Sequence, residues 1–386
     1  MEWVTCQNVQ NETWRRLLEF ANTELTYELI ESIHGAATTS SKKQNYKKQA
    51  SQVRSAILQA KEYFQAASLS SLNTSPNHLY YGMTSLNTAT MLTLGNGDKS
   101  LDRLRLDKRN QSHGLIFTNG CSETASKTGL EILKTTHIEV AENGFFRNWY
   151  ETLPKKGNIY GLTETIGSNG SYKSFNSIGH YKTDTFSEIS GGKSSILGII
   201  ENIPDISTEL YRFGKDIAFS RASISFIKDE TRKTQKYQWL IHAAGNKDSL
   251  DAIREAFEFK GSDINTASET ISENEKSGSI SIAYYDGMEF NFPISRMDMN
   301  NQSYIYAAHS GLHEIVEAFG AGFAFSMLAR YYPDIWVSCL ESHGKAAKLI
   351  EHIIGVLILK YPILALSMIS GKDTTISTHR PYWHQA

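Results

Sequence analysis

The sequence predicts a mainly helical fold with a β-containing insertion in its middle, an α+β class. Three observations carry this expectation. Apolar residues recur at helical spacing towards both ends of the chain. In the middle they alternate instead. Neither helical part is long enough to cover its own apolar face, so the two are expected to pack on each other across the insertion. The boundaries read as 1–140 for the N-terminal helical part, 141–305 for the mixed middle and 306–386 for the C-terminal helical part.

Leu17, Leu18, Ala21, Leu25, Leu29 and Ile33 predict helix over residues 11–35. The polar stretch Thr38 to Lys48 closes that region and opens the next helix, in which Val53, Ile57, Ala60 and Phe64 mark the apolar face. Ser71 to Asn77 reads as a loop. Leu79 to Leu94 then reads as a strongly apolar helix, with Gly82, Ser85, Ala89 and Thr93 allowing a neighbour to approach closely, and Gly95-Asn96-Gly97-Asp98 stops it. Leu101 to Asn110 is charged and runs into Ser112-His113-Gly114. Gly144-Phe145-Phe146 reads as strand or loop, and residues 155–193 as loops and short strands.

Ser194 to Tyr211 reads as a short helix interrupted or initiated near Pro204. Residues 217–243 alternate and predict strands, Ser249 to Phe259 a helix, and Asp286-Gly287 a hairpin turn. From His309 to Ser370 the chain reads as helical and very apolar. Ile353 to Ile369 contains Lys360 and Pro362, and is expected to be a buried helix pair, not a membrane anchor.

Composition narrows the function classes. Of 386 residues, 39 are Lys or Arg and 41 are Asp or Glu, a net charge of −2, which excludes a globally basic nucleic-acid binder but not a local basic groove. Cys6, Cys121 and Cys339 are far apart and odd in number, which excludes a zinc ribbon and a disulfide framework and fits a reducing, cytoplasmic setting. Met1-Glu2-Trp3-Val4 lacks a basic stretch followed by an apolar run, so no signal peptide is expected.

The motif His78-Leu79-Tyr80-Tyr81-Gly82-Met83-Thr84-Ser85-Leu86 resembles the "FYGM…L" helix of the bacterial YaaC-like family. Ser112-His113-Gly114 is similar to its "AHG" motif, and Gly144-Phe145-Phe146 to its "GLF" step. Ser195 to Tyr211 resembles its "LL…IPEL" segment, and Phe325 to Tyr331 with Trp336 its "LSM..RY…W" helix. The motifs stand in the family's order, although the basic residues precede His113 here instead of following it. The resemblance implies a cytosolic bacterial protein. Paired helices with a short Arg/His signature also resemble the HEPN superfamily, which implies a HEPN-like helical core and a link to metal-independent RNases and phage-defence effectors.

Arg109 and His113 are the candidate catalytic pair on that resemblance. An Arg offers fixed donors to a scissile phosphate, and a His can move a proton at the 2′-oxygen. Their spacing is shorter than the HEPN pattern, and from Arg105 it is longer; the plainer reading is a solvated basic helix end with a capping His. Arg330 and Tyr331 follow the apolar run Ala321 to Phe325, and Pro333 ends that helix. A guanidinium there needs a carboxylate, helix carbonyls or a ligand phosphate, and Trp336 is expected to cover it by stacking. With Tyr81 these form the candidate ligand-binding set: Arg330, Tyr331, Tyr81 and Trp336. The other reading of Tyr80 and Tyr81 is core packing.

His309, His313 and Glu317 share a helical face at zinc-compatible spacing, but no His-Glu-x-x-His pattern is present, and Ser310 reads as the helix cap. Ser190-Gly191-Gly192-Lys193-Ser194-Ser195 looks like the tail of a phosphate loop, yet Ser187 stands where the motif needs Gly; a loop into a Ser-capped helix is the plainer reading. The end, Thr378 to His384, reads as a docking segment.

No complete metal set, nucleophile arrangement or intact nucleotide loop stands out, so no metal and no cofactor are expected. The leading expectation is a cytosolic protein that binds another protein, a second copy, an RNA or a nucleotide, without a membrane. The alternative is a metal-independent endoribonuclease.

Overall fold

The computed structural model describes residues 2–106, 111–120, 129–212, 219–242, 267–272, 277–284, 294–306, 311–341 and 344–378. The expected helix at Ser249 to Phe259, the Asp286-Gly287 turn, and most of the terminal docking segment lie outside them.

The N-terminal helices are α1 (Val9–Glu19), α2 (Thr23–His34), α3 (Ser40–Leu69) and α4 (Ser75–Leu94). The single helix expected over 11–35 is therefore two. Asn22 sets the break, since its side chain accepts from the N–H groups of Glu24 and Leu25 and starts α2 afresh. Pro76 sits in the first turn of α4, where its missing N–H costs nothing, so the helix begins inside the expected loop.

Short helices follow: α5 (Leu101–Leu106), α6 (Gly129–Thr135), α7 (Phe145–Tyr150), α8 (Phe186–Ile189), α9 (Ile196–Ile200) and α10 (Ser207–Arg212). Gly144-Phe145-Phe146 thus opens a helix, where a strand or loop was expected. Ser195 caps α9 by accepting from the Gly198 N–H at 3.0 Å, so the glycine-rich segment before it is an edge strand and a cap.

The C-terminal helices are α11 (Glu314–Tyr331), α12 (Pro333–Glu341) and α13 (Lys345–Ser370). Pro362 lies inside α13 without ending it, so the expected helix pair is one helix. Residues Ala346–Ser370 are long and apolar enough to cross a membrane by length and composition, and 72% of the most apolar window is buried inside the chain. That burial is what a core helix shows.

Helix α4 packs against α3, α11 and α13. Phe64 stacks on Tyr361 with ring centroids 6.5 Å apart, and the Tyr361 hydroxyl donates to Asn87 Oδ1. The two helical ends therefore share one core, to which Trp149, Leu153 and the α9–α10 region also contribute.

The middle of the chain carries an eight-stranded sheet. Its strands include Lys156–Gly167 and Gly170–Lys182, which form one long hairpin, then Phe219–Asp229, Thr234–His242, Ala267–Ser272, Ser277–Tyr284, Ile294–Met297 and Ser303–Tyr306. Phe219–Asp229 is central. Thr234–His242 runs along one of its edges, while Ser303–Tyr306 and, in parallel, Lys156–Gly167 share the other. The hairpin is longer than the short strands expected. The buried positions of Lys156–Gly167 are Gly157, Ile159, Gly161, Thr163 and Thr165, mostly small and only one of them strongly apolar, so apolar alternation is weak along this strand. At Gly161 a Cβ would lie 2.6 Å from the Ile224 carbonyl oxygen.

A second, three-stranded sheet pairs Leu115–Thr118, His137–Val140 and Lys193–Ser195. Near the two chain ends, Glu2–Thr5 pairs in parallel with Thr374–Ser377.

Gly82 fixes how closely α3 and α4 approach. A Cβ there would lie 2.7 and 2.8 Å from ring carbons of the fully buried Phe64. Alanine is the better helix former by about 1 kcal/mol, but overpacking costs about 1–3 kcal/mol. Gly82→Ala is therefore expected to destabilise by about 1 kcal/mol, and by up to about 2, in urea unfolding; an unchanged or raised midpoint would show that Phe64 yields.

Candidate functional site

Three small-residue contacts assemble one end of the helical core. Gly82 admits Phe64 and Tyr63 of α3, and at Gly322 of α11 a Cβ would sit 2.5 Å from Met83 Sδ of α4. This close approach brings Tyr63, Tyr80, Tyr81 and Arg330 to the same place. Tyr80 and Tyr81 are successive residues of a helix, so they diverge: Tyr80 is buried and Tyr81 remains 37% exposed.

Arg330 lies near the end of α11, just before Tyr332 and Pro333 terminate it. Its guanidinium donates to the Tyr81 hydroxyl and, at 2.7 Å, to the Tyr331 hydroxyl. It also lies over both rings, 4.7 Å from the Tyr331 centroid and 5.8 Å from that of Tyr81. Tyr63 stacks on Tyr81 at 5.6 Å. The hydrogen bond it donates to Tyr331 holds the guanidinium above its ordinary range, against the opposing effect of desolvation. Among the described residues no carboxylate forms an ion pair with Arg330. The cation is thus held in place by phenols, which leave its charge uncancelled.

His113 approaches from the loop before the three-stranded sheet. Its Nδ1 is 2.9 Å from the Tyr80 hydroxyl, and its ring meets Tyr80 edge-on and packs against Phe323. Desolvation, helped by the Arg330 charge, holds the imidazole below its usual range, so it is neutral at neutral pH. Burial pushes the Tyr80 phenol well up, so that group keeps its proton.

The backbone explains why His113 sits here. The N–H groups of Phe145 and Phe146, at the start of α7, donate to the carbonyls of Ser112 and His113 at 2.9 and 3.0 Å. Gly114 and Gly144 both have positive φ, and a Cβ on Gly144 would lie 2.5 Å from Gly114 Cα. The Ser112-His113-Gly114 and Gly144-Phe145-Phe146 motifs are two halves of one clasp, which only glycine permits.

The structure therefore brings together His113, Tyr81, Arg330 and Tyr331, from regions far apart in the chain. Arg109 lies outside the described residues. Trp336 is a correction: it does not cover Arg330 but is 1% exposed, donates its indole N–H to the Leu72 carbonyl at 3.0 Å and packs on Phe325. The expectation missed Tyr63; Tyr80 packs in the core, as one reading had it, and its hydroxyl also reaches His113. The adjacent Tyr80-Tyr81 pair was visible, but its partner on α3 follows only from packing.

The zinc-compatible set resolves differently. His309 and Ser310 lie outside the described residues, and His313 itself caps α11 by accepting from the Ile315 N–H. Glu317 is bound to Arg296 and Asn202. Among the described residues no group of His, Cys, Asp and Glu side chains could hold a metal ion.

Sequence reasoning also missed a buried ionic seam. Arg296 of the large sheet donates to Glu317, to the Asn202 carbonyl and, at 2.8 Å, to the Leu312 carbonyl. Nearby, Lys360 of α13 pairs with Asp205 and Glu314 at 2.5 Å each. A lysine inside the apolar run of α13 was the one available signal.

Fold and site define a mainly α protein with a β-containing insertion, carrying an aromatic-held arginine where its N- and C-terminal helices meet. A family model described as YaaC-like Protein matches residues 18–369, and the chain belongs to that family. No curated protein and no solved structure matches.

Proposed function

We propose that this chain acts in the cytoplasm by binding RNA or a nucleotide at the Arg330 cluster. The observation that carries this reading is a guanidinium fixed by two phenols, with no ion-paired carboxylate among the described residues, beside stacked tyrosine rings. Such a cation takes a phosphate, and exposed rings take a base. Tyr331 is 56% exposed and Tyr81 is 37% exposed, so both have surface to offer. A setting as an accessory or effector in bacterial phage defence follows from the HEPN resemblance alone.

The test is fluorescence anisotropy with a labelled single-stranded RNA and with labelled ATP, in EDTA. Arg330→Gln is expected to weaken binding by about 10–100-fold, the worth of a charge-assisted hydrogen bond, and to flatten the salt dependence. Tyr81→Ala is expected to cost about 1–3 kcal/mol of stacking, with Tyr81→Phe losing less. Binding that Arg330→Gln leaves unchanged would sink the proposal.

The endoribonuclease reading is favoured by one observation, the neutral His113 hydrogen-bonded to Tyr80 beside the Arg330 charge. A neutral imidazole can accept a proton from a 2′-hydroxyl. If that reading holds, wild type cleaves RNA in EDTA, and His113→Ala loses about 10²–10⁴ in rate while still binding. Binding without cleavage by wild type leaves the binding reading standing alone.

A further inference from the structure

Between α4, α5 and α7 lies a cavity of about 360 Å³ that the Arg330 cluster does not use. Met91 of α4, Leu101 and Leu104 of α5 and Phe145 of α7 give it apolar walls. Thr84 and Thr88 of α4 and Asn148 of α7 also line it, but their donors are engaged. The two hydroxyls donate to the Tyr80 and Thr84 carbonyls of their own helix at 2.9 and 2.8 Å, and the Asn148 amide donates to the Gly144 carbonyl at 3.0 Å.

The one charged group on the wall decides the chemistry. It is Arg105, exposed on α5. The other charges of that helix are paired, Asp102 with Lys48 at 2.6 Å and Arg103 with Asp98 at 2.9 Å. Among the described residues no carboxylate pairs with Arg105, and none lines the cavity. A guest therefore meets an apolar chamber with one guanidinium at its edge, beside the uncharged Gln111. The volume is at the lower end of small-molecule sites. A guanidinium takes a carboxylate or a phosphate through its fork of donors. A single cation cancels the one charge of a carboxylate, whereas a phosphate monoester brings nearly two and leaves the excess against apolar walls.

We infer that this cavity binds a small monocarboxylic acid with an apolar, ring-sized body, its carboxylate on Arg105 and its body against Met91, Leu104 and Phe145. The site is separate from the Arg330 cluster, whose cation is already held by phenols.

The test is calorimetric titration of wild type with 3-phenylpropionate, alongside phenethylamine, which has a similar ring and the opposite charge, and acetate, which has the same head and no ring. The phenylpropionate is expected to bind saturably with a dissociation constant of about a millimolar or below, and the other two not at all. Arg105→Gln is expected to weaken it about tenfold, the worth of a charge-assisted hydrogen bond. Thr88→Phe, which places a ring in the half-buried wall of the cavity, is expected to abolish binding. The inference is overturned if wild type shows no saturable binding of the acid, or if phenethylamine or acetate binds as tightly. It is overturned equally if the acid is lost on Arg330→Gln and kept on Arg105→Gln, which would place it at the phenol-held cation. The three-ligand comparison on wild type does not depend on any variant folding.

Discussion

Arg296→Met is expected to lower folding stability by about 3–5 kcal/mol, because it leaves the Glu317 carboxylate in the interior without its cation. The two side chains are only 3% and 2% exposed, so water does not replace what is removed. The substitution also takes away the donor to the carbonyls of Asn202 and Leu312. Met approximates the length of the Arg stem, which separates the loss of charge from the loss of volume. Adding Glu317→Leu to Arg296→Met is expected to recover only part of the loss. The unpaired charge disappears, but the two carbonyls and the Asn202 amide still lack partners. Urea unfolding measures both. A cost for Arg296→Met of under about 1 kcal/mol, the range of a surface pair, would show that the seam is wetter than its burial indicates.

The second large effect is on acid stability, and it belongs to His313. Desolvation and the neighbouring Arg296 charge hold its pKa down to about 4, against an opposing pull from Asp373. Its Nδ1 accepts the Ile315 N–H, which a protonated nitrogen cannot do. Between pH 6.5 and about 4 the unfolded chain therefore binds the proton more readily than the folded one. Stability from this residue is present above 6.5 and falls as the pH drops towards 4.

The loss amounts to about 2–3 kcal/mol, taken below the full shift because the ring borders a small cavity. His313→Asn keeps a capping acceptor and removes the titration. The measurement is the difference in unfolding free energy between wild type and His313→Asn across this range. Glu314, whose buried carboxyl is pushed up by desolvation, titrates in both proteins and cancels in that difference. Parallel pH profiles for the two proteins would refute the assignment.

Several features were legible because their signal is local. The helical spacing of Val53, Ile57, Ala60 and Phe64 lies on one face of α3 and is buried there. The run of small residues on α4 did bring neighbours close, through Gly82. The Ser112-His113-Gly114 and Gly144-Phe145-Phe146 motifs stood out as residues, but their mutual contact did not, since it is made by backbone hydrogen bonds. Arg330 and Tyr81 were both singled out, on helices separated by most of the chain. The error over Trp336 has a simple cause. It follows Arg330 closely in sequence, but α12 begins at Pro333 and turns the indole into the core.

Composition and periodicity by themselves determined the α+β class, the apolar α4, α11 and α13, and which aromatic and charged residues stood apart from the core pattern. Those properties depend on neighbours a few positions away. Only the tertiary structure decided that Tyr63, Tyr81, Tyr331, Arg330 and His113 lie together, that Arg296 and Lys360 meet buried carboxylates, and that Glu2–Thr5 pairs with Thr374–Ser377. The physical reason is the same in each case. Burial, charge pairing and strand register are set by which surfaces exclude water together, and that is a property of the packed chain and not of any segment of it.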